Sequence, residues 1–194
     1  MRLTALCLLA FAVLPPASRA QDVPVSEVTP LESTITFGVE ASVPIQGTFK
    51  KWDATLKYSS TAVASGVLDI KIYADSVDTG SGMKNGKLKG KDFFNVKDDP
   101  YITFKSTKVV QTGPDTFELD GDFTIRGVTR QEKLELKVLG IGTGAATVNG
   151  TMAFDRKDYG MNSGIPFIKI ANRVEVTVAL KVKHVSGPMP IFKE

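Results

Sequence analysis

The sequence predicts a single all-β domain of about eight antiparallel strands. Short runs of alternating apolar and polar residues recur through the 194-residue chain, turn residues separate them, and no long amphipathic helix interrupts them. The clearest run is 173–183, where Val174, Val176 and Val178 begin an apolar series on every second residue. Because successive side chains of a strand point to opposite faces, this strand is predicted to be buried on one face and exposed to solvent on the other.

The remaining strands form a meander that either closes into a barrel or packs as a sandwich, and the alternation alone does not separate the two. We favour the barrel, because closure removes the exposed edges of a sheet. One long connection, 78–100, interrupts the meander and has room for a short helix at 82–94; connections of this length are often functional. The predicted strands are 34–40, 48–58, 66–74, 101–110, 117–125, 134–138, 147–155 and 173–183.

The first twenty residues have the pattern of a cleaved signal peptide. Arg2 precedes an uncharged run at 3–14, two prolines follow, and residues 18–20 offer the small side chains that signal peptidase requires, so cleavage is expected after Ala20. The apolar run is shorter than the ~20 residues that span a bilayer. We therefore divide the chain into a signal peptide (1–20), an extended leader (21–32), the barrel (33–185) and a C-terminal tail (186–194).

Charge and reactive side chains exclude several classes of function. Loss of Arg2 and Arg19 leaves 22 basic against 21 acidic residues, a net charge of +1 without a basic block, so no nucleic-acid partner is expected. The single cysteine, Cys7, lies in the signal peptide, and the single histidine, His184, is expected to be exposed just past the last strand. This inventory offers no usual zinc set and no nucleophile–base pair, so no metal, cofactor or catalytic site is predicted.

The inward faces of the strands are almost entirely hydrocarbon, which fits two interpretations. These residues either pack into a solid core or surround one ligand, since a barrel of eight strands permits both. A lipid chain of ~16 carbons gains roughly 10 kcal/mol gross on burial, before ordering and association costs, at about 0.8 kcal/mol per methylene.

The long connection combines charge with aromatic residues. It is either a solvated cationic loop or the rim of a cavity, where lysines meet an anionic head group and aromatic rings touch its tail. The residues concerned are Lys84, Lys87, Lys89, Lys91, Phe93 and Phe94.

Several segments, in order and spacing, resemble the YceI-like family of lipid- or polyisoprenoid-binding proteins. The most diagnostic are Thr-Ile-Arg-Gly-Val-Thr at 124–129 and Phe-Phe at 93–94 followed by Pro-Tyr-Ile-Thr-Phe-Lys-Ser at 100–106. The resemblance implies a lipocalin-like eight-stranded barrel with an apolar tunnel, a long isoprenoid ligand and a periplasmic location. It implies no known catalytic activity, and it is compatible with a homodimer. Where many members carry Arg-Asp-x-His-Leu, residues 84–88 are Lys-Asn-Gly-Lys-Leu, which puts a head-group role for this loop in doubt.

The sequence thus predicts an exported protein that holds an isoprenoid, quinone or similar amphiphile for carriage or sequestration. The alternatives are an enzyme that modifies such a lipid, using Arg126, Arg156 or Asp158, and a partner-binding module of a membrane redox or stress-response system. Phe49 and Trp52 have opposite strand parity, so a bulge is needed to turn both inward. The predicted tail-binding residues are Phe37, Phe93, Phe94, Phe104, Phe123, Met152, Phe154, Val176 and Leu180, and the head-group candidates are Lys84, Lys87 and Arg156.

Overall fold

A computed structural model describes residues 22–164 and 169–193. The predicted signal peptide lies outside the described residues. The described part of the chain contains one α-helix, α1 (Gly82–Lys89), and ten strands. The strands are β1 (Val25–Ala41), β2 (Ile45–Phe49), β3 (Trp52–Tyr58), β4 (Gly66–Tyr73), β5 (Val77–Asp78), β6 (Tyr101–Gln111), β7 (Thr116–Ile125), β8 (Val128–Leu139), β9 (Ala145–Asp155) and β10 (Ile170–Ser186).

Eight of these strands form a closed antiparallel barrel, in the order β1, β3, β4, β6, β7, β8, β9, β10. Pairing of β10 with β1 closes the barrel, and the two short strands β2 and β5 extend the sheet beside the second half of β1. The predicted fold class is therefore confirmed. We call the end that carries α1 and residues 79–100 the lower end, and the end where β10 finishes the upper end.

The strand predicted at 48–58 is divided in two at a corner. β2 ends at Phe49 and β3 begins at Trp52, and both side chains are buried. Ser76 holds the corner, because its carbonyl accepts from the amide of Lys50 at 3.1 Å and its hydroxyl accepts from the amide of Lys51 at 3.1 Å. This break in alternation turns both aromatic rings into the barrel.

β1 begins earlier than the alternation suggested. Residues 25–29 pair with the end of β10 as part of one long strand, which contains an irregularity between Thr29 and Thr34. Pro30 lies within it and has no amide proton to donate. The hydroxyl of Ser33 replaces part of the lost pairing, donating to Thr29 at 2.6 Å and accepting from the amide of Lys181 at 2.8 Å.

The last described residues cross the upper end of the barrel. We call residues 187–193 the strap. They follow β10 and pass the connection between β3 and β4, where Ile191 forms a parallel bridge with Ala62. The predicted tail thus packs against the barrel.

Candidate ligand-binding cavities

Two apolar cavities lie inside the barrel, one near each end. The lower cavity has a volume of about 60 Å³ and the upper cavity about 120 Å³. The two share no lining residue. The interior therefore consists of two chambers separated by packed side chains.

Aromatic rings dominate the lower cavity. Phe37, Phe49 and Phe94 are in mutual contact, with ring centroids 5.5, 5.8 and 6.1 Å apart. Phe123 and Phe154 pack 5.1 Å apart on the opposite wall. Seven of the predicted site residues line this cavity: Phe37, Phe93, Phe94, Phe123, Phe154, Val176 and Arg156.

The middle of the barrel is filled. Phe104 and Met152 are buried but line neither cavity. The Phe104 ring occupies the space beside Gly121, where a β-carbon would lie 2.6 Å from Cζ, and Leu136 and Val178 occupy the space beside Gly150. These glycines therefore admit neighbouring side chains, and the interior is not an open tunnel along its whole length.

The upper cavity is the larger chamber, and the sequence predicted little of it. Of the predicted tail-binding residues only Leu180 lines it. The alternation within 117–125 puts Phe117 and Leu119 on the inward face of β7, but alternation alone does not show which level of the barrel stays open. The main apolar contributors are Val28, Leu56, Leu68, Phe117, Leu119, Leu136, Val148, Leu180, Met189 and Phe192.

The side chains of Tyr58 and His184 lie at the wall of the upper cavity. Burial raises the pKa of Tyr58 to about 12. His184 lies inside β10 and is half-buried, so the prediction of an exposed histidine past the last strand is wrong. Its Nε2 lies 3.0 Å from the carbonyl oxygen of Gly187, and its Nδ1 is buried without a hydrogen-bond partner in the described part of the chain.

Arg156 is the one permanently charged side chain among the described residues that line either cavity. It is buried, and its guanidinium donates to the carbonyls of Met161, of Ser163 at 3.0 Å and of Ala171 at 3.1 Å. Within residues 22–164 and 169–193 it forms no ion pair. The lower cavity therefore has a buried cation at its wall.

Lys84 and Lys87 lie on α1 and line neither cavity. The ammonium group of Lys87 pairs with Asp92 at 2.8 Å and lies 5.7 Å from the centre of the Phe93 ring. Its hydrogen bond lowers the pKa of Asp92 below the ordinary value. The structure thus separates these two head-group candidates from Arg156 and places them on the outside of the lower end.

The arginine of the Thr-Ile-Arg-Gly-Val-Thr motif has a structural role. Arg126 and Gly127 form the two-residue turn between β7 and β8 with φ angles of 54° and 69°, as a tight hairpin of twisted strands requires. The Arg126 guanidinium donates to the carbonyls of Lys91 at 2.9 Å, Tyr159 at 3.4 Å and Gly160. It therefore ties three segments of the lower end together.

The residues after β9 are likewise engaged in packing. Tyr159 is fully buried, burial raises its pKa, and its hydroxyl donates to Glu132 at 2.7 Å. The backbone carbonyl of Asp158 accepts from Arg130 at 3.0 Å. Asp158 and its neighbours therefore help to close the lower end of the barrel through these contacts.

Neither a cluster of metal ligands nor a membrane-spanning helix is present among the described residues. No group of three or more histidine, cysteine, aspartate or glutamate side chains among them is arranged to hold a metal ion. None of the helices in this part of the chain has the length and apolar character needed to cross a membrane.

Comparison with known proteins gives the family. Residues 27–182 match the YceI-like domain. Protein YceI of Escherichia coli O157:H7 is 36% identical over 98 residues, which are 50% of this chain and 51% of that protein. A UPF0312 protein of Pseudomonas syringae pv. syringae is 29% identical over 127 residues, 63% of this chain and 66% of that protein. The chain thus spans about half the length of the first of these relatives.

Solved structures share the fold. BcnA of Burkholderia cenocepacia superposes with a TM-score of 0.72 at 26% identity, covering 80% of this chain and 99% of BcnA. A polyisoprenoid binding domain from Saccharophagus degradans superposes with a TM-score of 0.66 at 16% identity, covering 84% of this chain and 99% of that domain. With the match over most of its length and this barrel, the chain belongs to the YceI-like domain family.

Proposed function

We propose that the protein is an exported lipid-binding protein that holds a long-chain isoprenoid, quinone or similar amphiphile inside its barrel, for carriage or sequestration and without chemical conversion. The observation that carries this proposal is the pair of apolar cavities inside a closed barrel. Such chambers retain a hydrocarbon chain by removing its surface from water, which needs no polar contact.

A long chain must pass from one cavity to the other, because each cavity alone holds only a short part of it. An apolar cavity of about 150 Å³ holds one benzene molecule. The side chains of Phe104 and Met152 stand between the chambers, and methionine adapts readily to a new neighbour. In our proposal the ligand displaces these side chains and joins the two cavities.

Arg156 orients the ligand in this proposal. Its buried guanidinium is next to the apolar wall of the lower cavity and has carbonyl partners but no ion pair within the described residues. The oxygen atom of a quinone or an isoprenoid alcohol gains a charge-assisted hydrogen bond there. Lys84 and Lys87 lie farther out at the same end, on α1.

Export is a separate part of the proposal. The signal pattern at 1–20 supports secretion into the periplasm, with a mature chain that begins at Gln21. N-terminal sequencing of protein from a periplasmic extract tests this. A chain that still begins at Met1, or that stays with the cytoplasm, contradicts it.

Binding is tested by the fluorescence of Trp52, the single tryptophan, which is buried at the lower end. Titration with decylubiquinone quenches this fluorescence to saturation near one equivalent if the quinone enters the barrel. A Leu119→Trp substitution fills the upper cavity and is expected to lower uptake, whereas Asp120→Trp, on the outward face of the same strand, leaves it unchanged. Because each variant adds a second tryptophan, bound quinone is counted in both after removal of the free quinone.

Two results contradict this proposal. The first is no saturable quenching of the unchanged protein by decylubiquinone and no uptake of an isoprenoid alcohol. The second is unchanged uptake in Leu119→Trp, which shows that the quinone does not occupy the upper cavity. Recovery of chemically altered lipid from the unchanged protein, but not from Arg156→Ala, instead supports the enzyme hypothesis.

A further inference from the structure

The strap forms a wall of the upper cavity. Met189, Pro190 and Phe192 line that cavity together with inward residues of the barrel strands. The Phe192 ring meets the Phe117 ring edge-on with centroids 6.0 Å apart. The larger of the two apolar cavities is therefore closed in part by residues of the strap.

Few contacts hold the strap in place. The amide of Ile191 donates to the carbonyl of Thr61 at 2.7 Å, and the carbonyl of Ile191 accepts from the amide of Val63 at 3.0 Å. The side chain of Gln111 makes two bonds of 2.7 Å with the backbone of Lys193. Ile191 itself is 64% exposed, so its side chain adds little burial to the attachment.

A defined hinge precedes the strap. Gly187 has a φ angle of 78°, and a β-carbon at this position would collide with the carbonyl oxygen of Val23. The Gly187 carbonyl lies 3.0 Å from Nε2 of His184, whose ring lines the cavity. The chain therefore turns sharply at Gly187, and the strap continues beyond this turn.

The lower end lacks such a device among its described residues. Phe93 and Phe94 cover that end. They lie between α1 and β6, so the backbone anchors them in both directions. Arg126 binds this segment through the carbonyl of Lys91 and also binds the turn at Gly160. Opening the lower end therefore breaks contacts of several segments at once, whereas displacement of the strap breaks only the contacts that the strap itself makes.

We propose that the strap is a gate and that the ligand enters the barrel through the upper end when residues 188–193 swing away. This inference rests on the proposed function, since a gate has meaning only if the barrel takes up an amphiphile. The strap also limits escape, because Met189 and Phe192 cover the bound chain once the gate has closed.

A disulfide across the strap tests the gate. Ala62→Cys with Ile191→Cys, in a Cys7→Ser chain, joins two residues that already pair, and paired strands are within the ~4.4–6.8 Å Cα separation that a disulfide spans. The matched control joins Thr103→Cys with Thr124→Cys, a β6–β7 pair away from the strap. A third variant ends the chain after Pro188, which keeps the contact between His184 and Gly187.

The measurement is the rate at which decylubiquinone quenches Trp52 in a stopped-flow instrument, with the extent of quenching at equilibrium as second readout. The oxidised strap disulfide is expected to slow uptake about tenfold or more, because the lock removes the open state through which the ligand enters. Reduction restores the rate, the control disulfide leaves it unchanged, and the truncated chain takes up quinone faster.

Each outcome decides the question. Equal rates for the oxidised and reduced strap variant, with normal quenching at equilibrium, overturn the gate and leave the proposed function standing. Absence of saturable quenching in every variant, including the unchanged protein, overturns both. Slowing by the control disulfide to the same extent shows that general stiffening is the cause and also overturns the gate.

Discussion

The two ends of the barrel are closed in different ways. At the lower end, buried aromatic rings and two arginines hold several segments of chain together, and the Thr-Ile-Arg-Gly-Val-Thr motif forms part of this closure. At the upper end, a glycine-rich hairpin at 140–144 and a terminal strap cover the larger cavity. Much of the sequence by which the family is recognised therefore lies at the lower end and holds it closed. The upper end, which carries the gate in our proposal, is formed by residues outside these motifs.

The largest effect is expected from the removal of Arg156. Arg156→Met leaves the buried carbonyl of Met161 and the part-buried carbonyls of Ser163 and Ala171 without their donor, at a cost of roughly 3 kcal/mol in the free energy of unfolding. Urea unfolding measures this loss. Arg173→Met is the control, because the ion pair of Arg173 with Glu175 is exposed and is worth about 0–1 kcal/mol. Equal losses in the two variants contradict the fixed lower end.

A smaller effect is expected from filling the middle of the barrel. Gly121→Ala places a methyl group against the Phe104 ring and the carbonyl oxygen of Lys105, which costs about 1–3 kcal/mol of stability. Gly38→Ala has no neighbour within 4 Å and an ordinary backbone conformation, so it should be neutral or slightly stabilising. Chemical denaturation of both variants separates these outcomes, and a tolerated Gly121→Ala would mean that the middle is looser than the structure shows.

The wall of the upper cavity is expected to respond to alkaline pH. The phenol of Tyr58 ionises near pH 10 in the unfolded chain and at about 12 in the folded protein, so its contribution to stability is complete below pH 10 and declines as the pH rises to 12. Unfolding curves at several pH values should show a loss of roughly 1–2 kcal/mol over this window, which Tyr58→Phe reduces. Identical pH profiles of the two proteins would show that Tyr58 is well solvated.

The smallest effect on global stability is expected from loosening the strap. Gln111→Ala removes two hydrogen bonds to Lys193 and should lower the free energy of unfolding by about 1 kcal/mol. Amide hydrogen exchange at 189–193 should nevertheless accelerate much more than exchange in β7, because opening of the strap is local. Uniform acceleration throughout the barrel would contradict an independently moving strap.

Much of the barrel follows from local alternation. The inward faces of β7, β8 and β10 are visible in the sequence because a strand's side-chain period is two, whatever the strand pairs with. β1 was predicted too short because Pro30 usually ends a strand, whereas here an irregularity in the pairing with β10 accommodates it.

The cavities follow less directly from the sequence. An inward residue lines a cavity or fills the middle of the barrel according to which side chains of other strands lie at the same height. Those strands are distant in the sequence, so local alternation does not reveal the outcome. Phe104 and Met152 were predicted to touch the ligand, yet both lie in the filled middle of the barrel, where the Phe104 ring occupies the space beside Gly121. The strap escaped prediction because residues 187–193 have no strand period, and only Phe192 and Met189 hint at an apolar contact.

Native mass spectrometry of protein purified without detergent or organic solvent tests the central claim most directly. We expect a species heavier than the polypeptide by the mass of one isoprenoid, quinone or similar lipid, which organic extraction then releases unchanged. Only the mass of the bare polypeptide, from periplasmic protein that also takes up no added lipid, would show that the two cavities are merely gaps in a solid core.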